Sequence, residues 1–176
     1  MPDCDAGLVS VLMSVYNGAP TLEKAAASVL TQTYRDLELI LCDDASADDT
    51  WRIMQRIAAQ DARVTIFQNE ANLGLGASLN ACLSRARGEY IARQDADDVS
   101  DPDRIERTMD FLLSSGAPYV ACGVRVFDDT GVWSTRQYPQ KITKHIIAQK
   151  NPFFHPTMIF RRSVLESVNG YCTSPE

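Results

Sequence analysis

Zinc-ligand spacing, a disulfide framework and a membrane-spanning run are all missing from this chain. Its five cysteines (Cys4, Cys42, Cys82, Cys122 and Cys172) are odd in number, widely spaced and form no Cys-x-x-Cys pair. Neither a metal finger nor a set of disulfides follows from that pattern. The expectation is reduced, mostly buried thiols in a cytoplasmic protein. No stretch approaches the roughly 18 to 20 apolar residues that a spanning helix requires, and the N-terminus lacks the basic and apolar regions of a secretion signal. Membrane contact, if the chain makes any, is expected to be peripheral, at the inner face. Basic charge is also short: the formal net charge is -6, so a nucleic-acid backbone, which demands clustered Lys and Arg, is not an expected partner. No Lys lies between Lys24 and Lys141, which removes the residue a phospho-accepting receiver domain needs after its last strand. The segment Asn72-Leu73-Gly74-Leu75-Gly76 lacks the Gly-x-Gly-x-x-Gly fingerprint and any Gly-Lys-Ser/Thr, so neither a dinucleotide fingerprint nor a P-loop is present.

What is there is an alternation of strand and helix patterns over 176 residues, of which 45% are hydrophobic. That length suits one domain with a core of its own. Leu8–Tyr16 is nearly all apolar and rich in β-branched residues, as a strand covered on both faces would be. Asn17-Gly18-Ala19-Pro20 turns the chain, and Thr21 is expected to cap a helix to about Thr31. Leu37–Cys42 is a second strand; Asp48 or Asp49 caps a second helix carrying Trp51, Ile53, Met54 and Ile57. Val64–Phe67, a loop with Asn72 and Gly74, and a helix to about Arg87 follow. Tyr90–Ala92 is a fourth strand, Pro102–Leu113 a fourth helix and Tyr119–Phe127 a fifth strand ending in a turn at Asp128–Gly131. Beyond Val132 the alternation fails: a helix near residues 142–149, a short strand at Thr157–Phe160 and a helix at Ser163–Val168 are expected. Four successive strand, loop and helix units predict an α/β protein with a doubly wound, mostly parallel, Rossmann-like sheet and helices on both faces.

In such sheets ligands collect at the carboxyl ends of the strands. Those ends carry Ser14-Val15-Tyr16-Asn17, Asp43-Asp44, Asn72-Leu73-Gly74 and Asp95-Ala96-Asp97-Asp98. Five acids fall within the nine residues from Asp95 to Asp103. Carboxylates so close together raise one another's pKa unless a cation lies between them. Capping one helix, which Ser100 or Asp101 can do, uses a single oxygen acceptor. A strand-like path would send Asp95 and Asp97 to the same side, where both reach one divalent cation, Mg or Mn, whose shell substrate phosphates complete. Asp43 and Asp44 suit hydrogen bonds from a base or ribose, and the Tyr16 ring suits stacking on a flat base. Two readings stay open for His155, a packed loop residue or a group on the acceptor side of the substrate pocket. His145 reads as an exposed helix residue. Arg161-Arg162 reads as solvated charge, with a phosphate contact as the alternative.

Together, Val9–Gly18, Ser28–Thr33, Asp43-Asp44-Ala45-Ser46, Asn72-Leu73-Gly74, Gly88–Asp98 and His155-Pro156-Thr157 resemble, in order and spacing, the inverting family 2 glycosyltransferases over essentially the whole chain. The resemblance implies a GT-A fold, a divalent metal and a nucleotide-diphosphate sugar donor, with a UDP-sugar expected. It also implies a saccharide or lipid-linked acceptor in surface polysaccharide or glycolipid synthesis. Carried over, Tyr16 and Asn17 line the nucleotide pocket, Asp43 bonds the base, Asp95 faces the nucleoside or ribose, and Asp97 holds the metal. The family's general base lies beyond a segment that Asn169-Gly170-Tyr171 matches, which puts it past Glu176. The chain is therefore read as an N-terminal portion of one GT-A domain. Residues 1–131 form the nucleotide-sugar half and residues 132–176 the start of the acceptor half. A non-catalytic nucleotide-sugar-binding or assembly module is the alternative.

Overall fold

The computed structural model describes residues 4–138 and 153–173. The expected helix near residues 142–149, with His145, lies outside the described residues, as does Glu176.

A central strand, β1 (Asp5–Val15), is flanked on both sides by parallel neighbours, β2 (Leu37–Asp43) and β4 (Gly88–Arg93). With β3 (Val64–Gln68), β5 (Tyr119–Ala121) and β8 (Met158–Arg161) they form a six-stranded sheet in the order β3-β2-β1-β4-β8-β5. All the pairs from β3 to β4 are parallel, while β8 runs antiparallel to both β4 and β5. The chain moves outward from β1 through β2 to β3, then returns to the other side of β1 as β4. That reversal opens a crevice at the carboxyl ends of β1 and β4, the place where this kind of sheet binds ligands.

Alternation along the strands divides the core in two, because successive side chains point to opposite faces. Val9, Val11, Met13, Leu39, Leu41, Tyr90 and Ala92 face one layer with the apolar stripes of α1 (Leu22–Leu30), α2 (Thr50–Gln60) and α4 (Arg104–Ser115). Leu12, Ile40, Cys42 and Ile91 face the other, under α3 (Leu75–Leu83) and α5 (Arg162–Ser167). All seven residues of β2 are buried, Glu38 among them through Ser10 Oγ and Arg87, as in a strand covered twice. The expected α/β architecture, with helices on both faces, is the one observed.

Three local expectations are corrected. The apolar run at 119–127 is two strands in two sheets. Chain direction changes at Cys122-Gly123, and β6 (Val124–Asp128) pairs instead with β7 (Gly131–Arg136) in a separate hairpin. A Cβ on Gly123 would lie 2.8 Å from the Arg136 carbonyl, so the bend needs glycine. Thr21 occupies the N-cap of α1 without a capping bond from its side chain; Gly18 O accepts the Thr21 and Leu22 N–H groups instead. The thiols are less buried than expected: Cys42 and Cys82 are buried, Cys122 is half-buried, and Cys4 and Cys172 are exposed.

Candidate functional site

Loops after β1 and β2 clasp each other before either meets the acids. Asn17, at a φ of 51°, donates its N–H to Ser46 Oγ at 2.9 Å and accepts the Ala47 N–H on Oδ1 at 2.9 Å. The Gly18 N–H donates to Thr50 Oγ1 at 2.9 Å and the Ala19 N–H to Asp48 Oδ2 at 3.1 Å. A Cβ on Gly18 would lie 2.5 Å from Val15 Cγ1 and 3.6 Å from the Ala96 Cβ. Glycine here lets the β1 loop press against the acid-bearing turn. Tyr16 stands at this rim, 55% exposed, while Ser14 is half-buried and Val15 is part of the core.

The two acids ending β2 part company. Asp43 has no exposed surface; its Oδ1 accepts the Ser46 N–H at 3.1 Å and its Oδ2 accepts Gln68 Nε2 at 2.7 Å. Asp44, 2% exposed, turns to the loop after β3. Its Oδ1 accepts Asn69 Nδ2 at 2.8 Å and the Leu73 N–H at 2.9 Å, and its Oδ2 accepts the Gly74 N–H at 2.9 Å. Burial alone would raise this carboxyl's pKa, but the Leu73, Asn69, Ser78 and Gly74 hydrogen bonds outweigh it and hold the group below the usual range. Asp44 thereby fixes the loop containing Asn72 and Gly74, the latter at a φ of 81°.

Beyond Arg93 the backbone leaves the strand. Gln94 Nε2 donates to the Asp95 and Asp98 carbonyls at 3.2 and 3.0 Å, and the Asp98 N–H to Asp95 O at 3.3 Å. Asp95 and Asp97 therefore come together through a tight turn, not through strand alternation. The turn also brings in Asp98. One carboxylate oxygen from each of Asp95, Asp97 and Asp98 lies within 4.8 Å of the others. Partial desolvation, then the charges of Asp95 and Asp97, push the Asp98 pKa up. Asp95 is half-buried and the other two are exposed, so these oxygens are open to a ligand.

Capping does not consume them. The N-cap residue of α4 is Asp103, and it makes no capping bond with its side chain. The buried Gln32 does that work: its Oε1 accepts the Ile105 N–H at 2.9 Å, and its Nε2 donates to the Ser28 and Asp101 carbonyls at 2.9 and 2.7 Å. Ser100 Oγ donates to Gln94 Oε1 at 2.6 Å, and the Asp101 carboxylate pairs with Arg125. Three clustered hard oxygens, none of them capping a helix and with Asp95 alone tied elsewhere, to Arg93, fit an octahedral cation such as Mg or Mn.

His155 opens a short 3-10 turn (His155–Thr157) ahead of β8 and meets Tyr171 edge-on at 5.4 Å between centroids. Burial lowers its pKa, the positive charge of Arg93 lowers it further, and Asp95 opposes them. Tyr171 is held by Asn80, whose Oδ1 accepts the Tyr171 N–H at 2.8 Å and whose Nδ2 donates to Tyr171 O at 2.9 Å. Arg161 and Arg162 lie at the other end of the sheet, because β8 runs antiparallel and Arg161 pairs with Tyr90. They bind the Ala117 and Ala86 carbonyls and Glu166, so the phosphate contact considered for them is not made at this edge. Sequence reasoning missed Gln32, Asn80, Gln94 and Arg93. An arginine closing a strand as apolar as Tyr90–Ala92 was the one available signal.

Known proteins share this fold. Putative glycosyltransferase EpsE of Bacillus subtilis (strain 168) is 45% identical over 165 residues, covering 93% of this chain and 59% of EpsE. The crystal structure of S. aureus TarS 1-349 in complex with UDP superposes with a TM-score of 0.75 at 22% identity, over 93% of this chain and 49% of that one. The mannosyltransferase PcManGT from Pyrobaculum calidifontis, in complex with GDP-Man and Mn2+, gives 0.73 at 23% identity, over 94% and 48%. The chain thus spans about half to three fifths of the length of these proteins, and the two structures establish the GT-A fold. The model for "Glycosyl transferase family 2" matches from residue 10 to residue 168, through every strand of the main sheet, and the chain belongs to that family.

Proposed function

We propose that this chain forms the donor half of a metal-dependent, inverting glycosyltransferase. In this reading it binds a nucleotide-diphosphate sugar, a UDP-sugar first, for transfer to a saccharide or lipid-linked hydroxyl in surface polysaccharide or glycolipid synthesis. The observation that carries the reading is the approach of the Asp95, Asp97 and Asp98 carboxylates to within 4.8 Å of one another, at the switch point of the sheet, with no capping duty. Asp97 is the principal ligand of Mg or Mn, with Asp95 and Asp98 beside it. Tyr16 offers an exposed ring for stacking on the base. Asn17 and Gly18 shape the pocket beside Ala96, and Asp43 is the acid nearest a base seated against β2. Asp44 keeps Asn72 and Gly74 in place along that wall. His155, kept neutral by burial and by Arg93, stands on the acceptor side as a hydrogen-bonding group.

A bound cation supplies Lewis-acid neutralisation of the charge that builds on a departing diphosphate. The chain's own residues, Tyr16, Asn17 and the turn acids, orient the donor. Among the described strand-end acids, Asp43 and Asp44 are buried and hydrogen-bonded and Asp95, Asp97 and Asp98 face the cation in this reading, so none of these five is assigned as the base. Titration calorimetry with UDP and with GDP, each with and without Mn2+, tests the reading. Binding of one nucleotide should require Mn2+ and vanish in Asp97→Ala. Binding that ignores the metal, or no binding of either nucleotide, refutes it.

A further inference from the structure

Arg93 is the largest side chain among the described residues with no exposed surface. It ends β4 opposite Leu12 of β1, and strand alternation sends it toward the layer of Leu12, Ile91 and Cys82. A guanidinium stays charged at any physiological pH. Burying that charge costs several kcal/mol unless it is paired and hydrogen-bonded. Arg93 has one anionic partner, the Asp95 carboxylate, reached through Nη2; Nη1 donates to the Gln94 carbonyl. Its Nε has no acceptor among the described residues. The pair is lopsided: the Arg93 side chain is fully buried and that of Asp95 is 34% exposed. Asp95 therefore cannot swing away without leaving a dry guanidinium unpaired. The dry partner dictates where the wet one sits.

That clamp has consequences for the acids around it. One Asp95 oxygen is held by Arg93, so one remains to face a cation. The positive charge stands directly behind the cluster and opposes a second positive charge arriving in front. Arg104, which donates through Nη1 to the Arg93 and Pro156 carbonyls at 3.3 and 3.0 Å, adds to this; both guanidiniums act on the Asp98 carboxyl. Cys82, Tyr171 and His155 are the other titratable groups within reach of the Arg93 charge, and none of them offsets it.

We propose that Arg93 is a positioning residue that restrains Asp95 and weakens the cluster for a bare cation, so that the cation is held well only together with a diphosphate. The inference rests on the donor-binding reading above. A diphosphate brings the extra negative charge that Arg93 has cancelled. The guanidinium that repels the lone metal attracts the metal–nucleotide complex. Cation and nucleotide are thereby coupled, each raising the other's affinity by the same factor.

The test measures Mn2+ alone, by EPR of the free ion, and then UDP or GDP with saturating Mn2+, by calorimetry. Wild type should bind Mn2+ alone at least tenfold more weakly than in the presence of whichever nucleotide it binds. Arg93→Met fills the same apolar layer without a charge, a replacement that folded proteins often accept. It should bind Mn2+ alone tenfold or more tightly than wild type while losing most of the coupling to nucleotide. Arg93→Gln should do the same, and Arg93→Lys, which keeps the charge, should restore weak binding of Mn2+ alone. A merely structural role would weaken both ligands together. Unchanged or weaker Mn2+ binding in the folded neutral variants overturns the proposal. Should neither neutral variant fold, wild type and Arg93→Lys decide. Weak binding of Mn2+ alone in both, with at least tenfold coupling to nucleotide, supports the proposal, and Mn2+ held as tightly alone as with nucleotide overturns it. A wild type that binds neither Mn2+ nor its nucleotide complexes refutes the donor reading itself, a different result from wild-type binding with no effect at Arg93.

Discussion

Asp44→Asn changes one atom at a carboxylate that is 2% exposed, and its effect follows from three hydrogen bonds. In wild type, Oδ1 accepts Asn69 Nδ2 and the Leu73 N–H, and Oδ2 accepts the Gly74 N–H. Asparagine keeps one oxygen, which serves Asn69 and Leu73, but turns an NH2 toward the Gly74 N–H, so donor meets donor. A hydrogen bond to a charged group contributes about 1.5–3 kcal/mol, and stranding a buried donor costs about 1–3 kcal/mol. Gly74 retains a second acceptor, Asn72 Oδ1 at 3.1 Å, which places the net loss near the lower end, at about 2 kcal/mol. Asp44→Ala removes all three contacts, although Asn69 keeps Ser78 Oγ at 2.9 Å and Leu73 is exposed to water; about 3 kcal/mol is expected. With an m-value of about 2 kcal/mol/M in urea, these losses move the unfolding midpoint down by about 1 and 1.5 M. The sign of the pH dependence is fixed by the depressed pKa of the folded carboxyl. Its contribution is complete above the unfolded value of about 3.9 and is lost as pH falls through the lower folded value. The gap between wild type and Asp44→Asn should therefore be constant from about pH 5 to 8 and close only in stronger acid. A loss below about 0.5 kcal/mol at neutral pH, or a gap that closes already near pH 6, would refute the assignment of Asp44 as the anchor of this loop.

Gln32→Leu should cost about 2–3 kcal/mol in urea unfolding, because it strands the Ile105 N–H and two carbonyls in a site with no exposed surface. Gly170→Ala meets two obstacles, a φ of 84° and a Cβ 2.4 Å from Asn80 Oδ1; about 1–2 kcal/mol is expected from the backbone alone. Because the displaced Asn80 is what holds Tyr171, a double-mutant cycle with Asn80→Ala should be non-additive by at least 0.5 kcal/mol, read from thermal or urea unfolding. His155 has a folded pKa below its ordinary value, chiefly through burial. Stability should thus fall as pH drops below about 6.5, where the unfolded state takes up the proton first, and His155→Phe should flatten that slope in melts from pH 7.5 to 5.5.

The architecture was legible because four strand and helix units each carried their own periodicity. What was lost on reading was anything decided by chain reversal or by a side chain acting at long range. Tyr119–Phe127 has the composition of one strand, but the antiparallel partner that claims its first three residues, β8, begins at Met158. Gln32 caps a helix that starts 72 residues later, and no local pattern announces that. The acids were visible as a group, but strand alternation was the wrong way to pair them. A turn fastened by Gln94 set their geometry and added Asp98.

Neutral side chains fasten the turn that carries Asp95, Asp97 and Asp98, and that division explains why these carboxylates are available. Gln94 closes the turn, Gln32 serves the start of α4, Ser28 Oγ accepts the Ser100 N–H at 3.1 Å, and Asn80 fixes the segment at Tyr171. Amides and hydroxyls can do this work without charge, and they do it equally well with or without a ligand. Had Asp95, Asp97 or Asp98 been the caps, a cation arriving among them would compete with the fold for their oxygens. As built, Asp95 is the one of these three acids with an ionic tie among the described residues, and that tie is to the buried Arg93. Under the proposed donor role, the cluster can therefore gain and lose a cation while the backbone that carries it stays put.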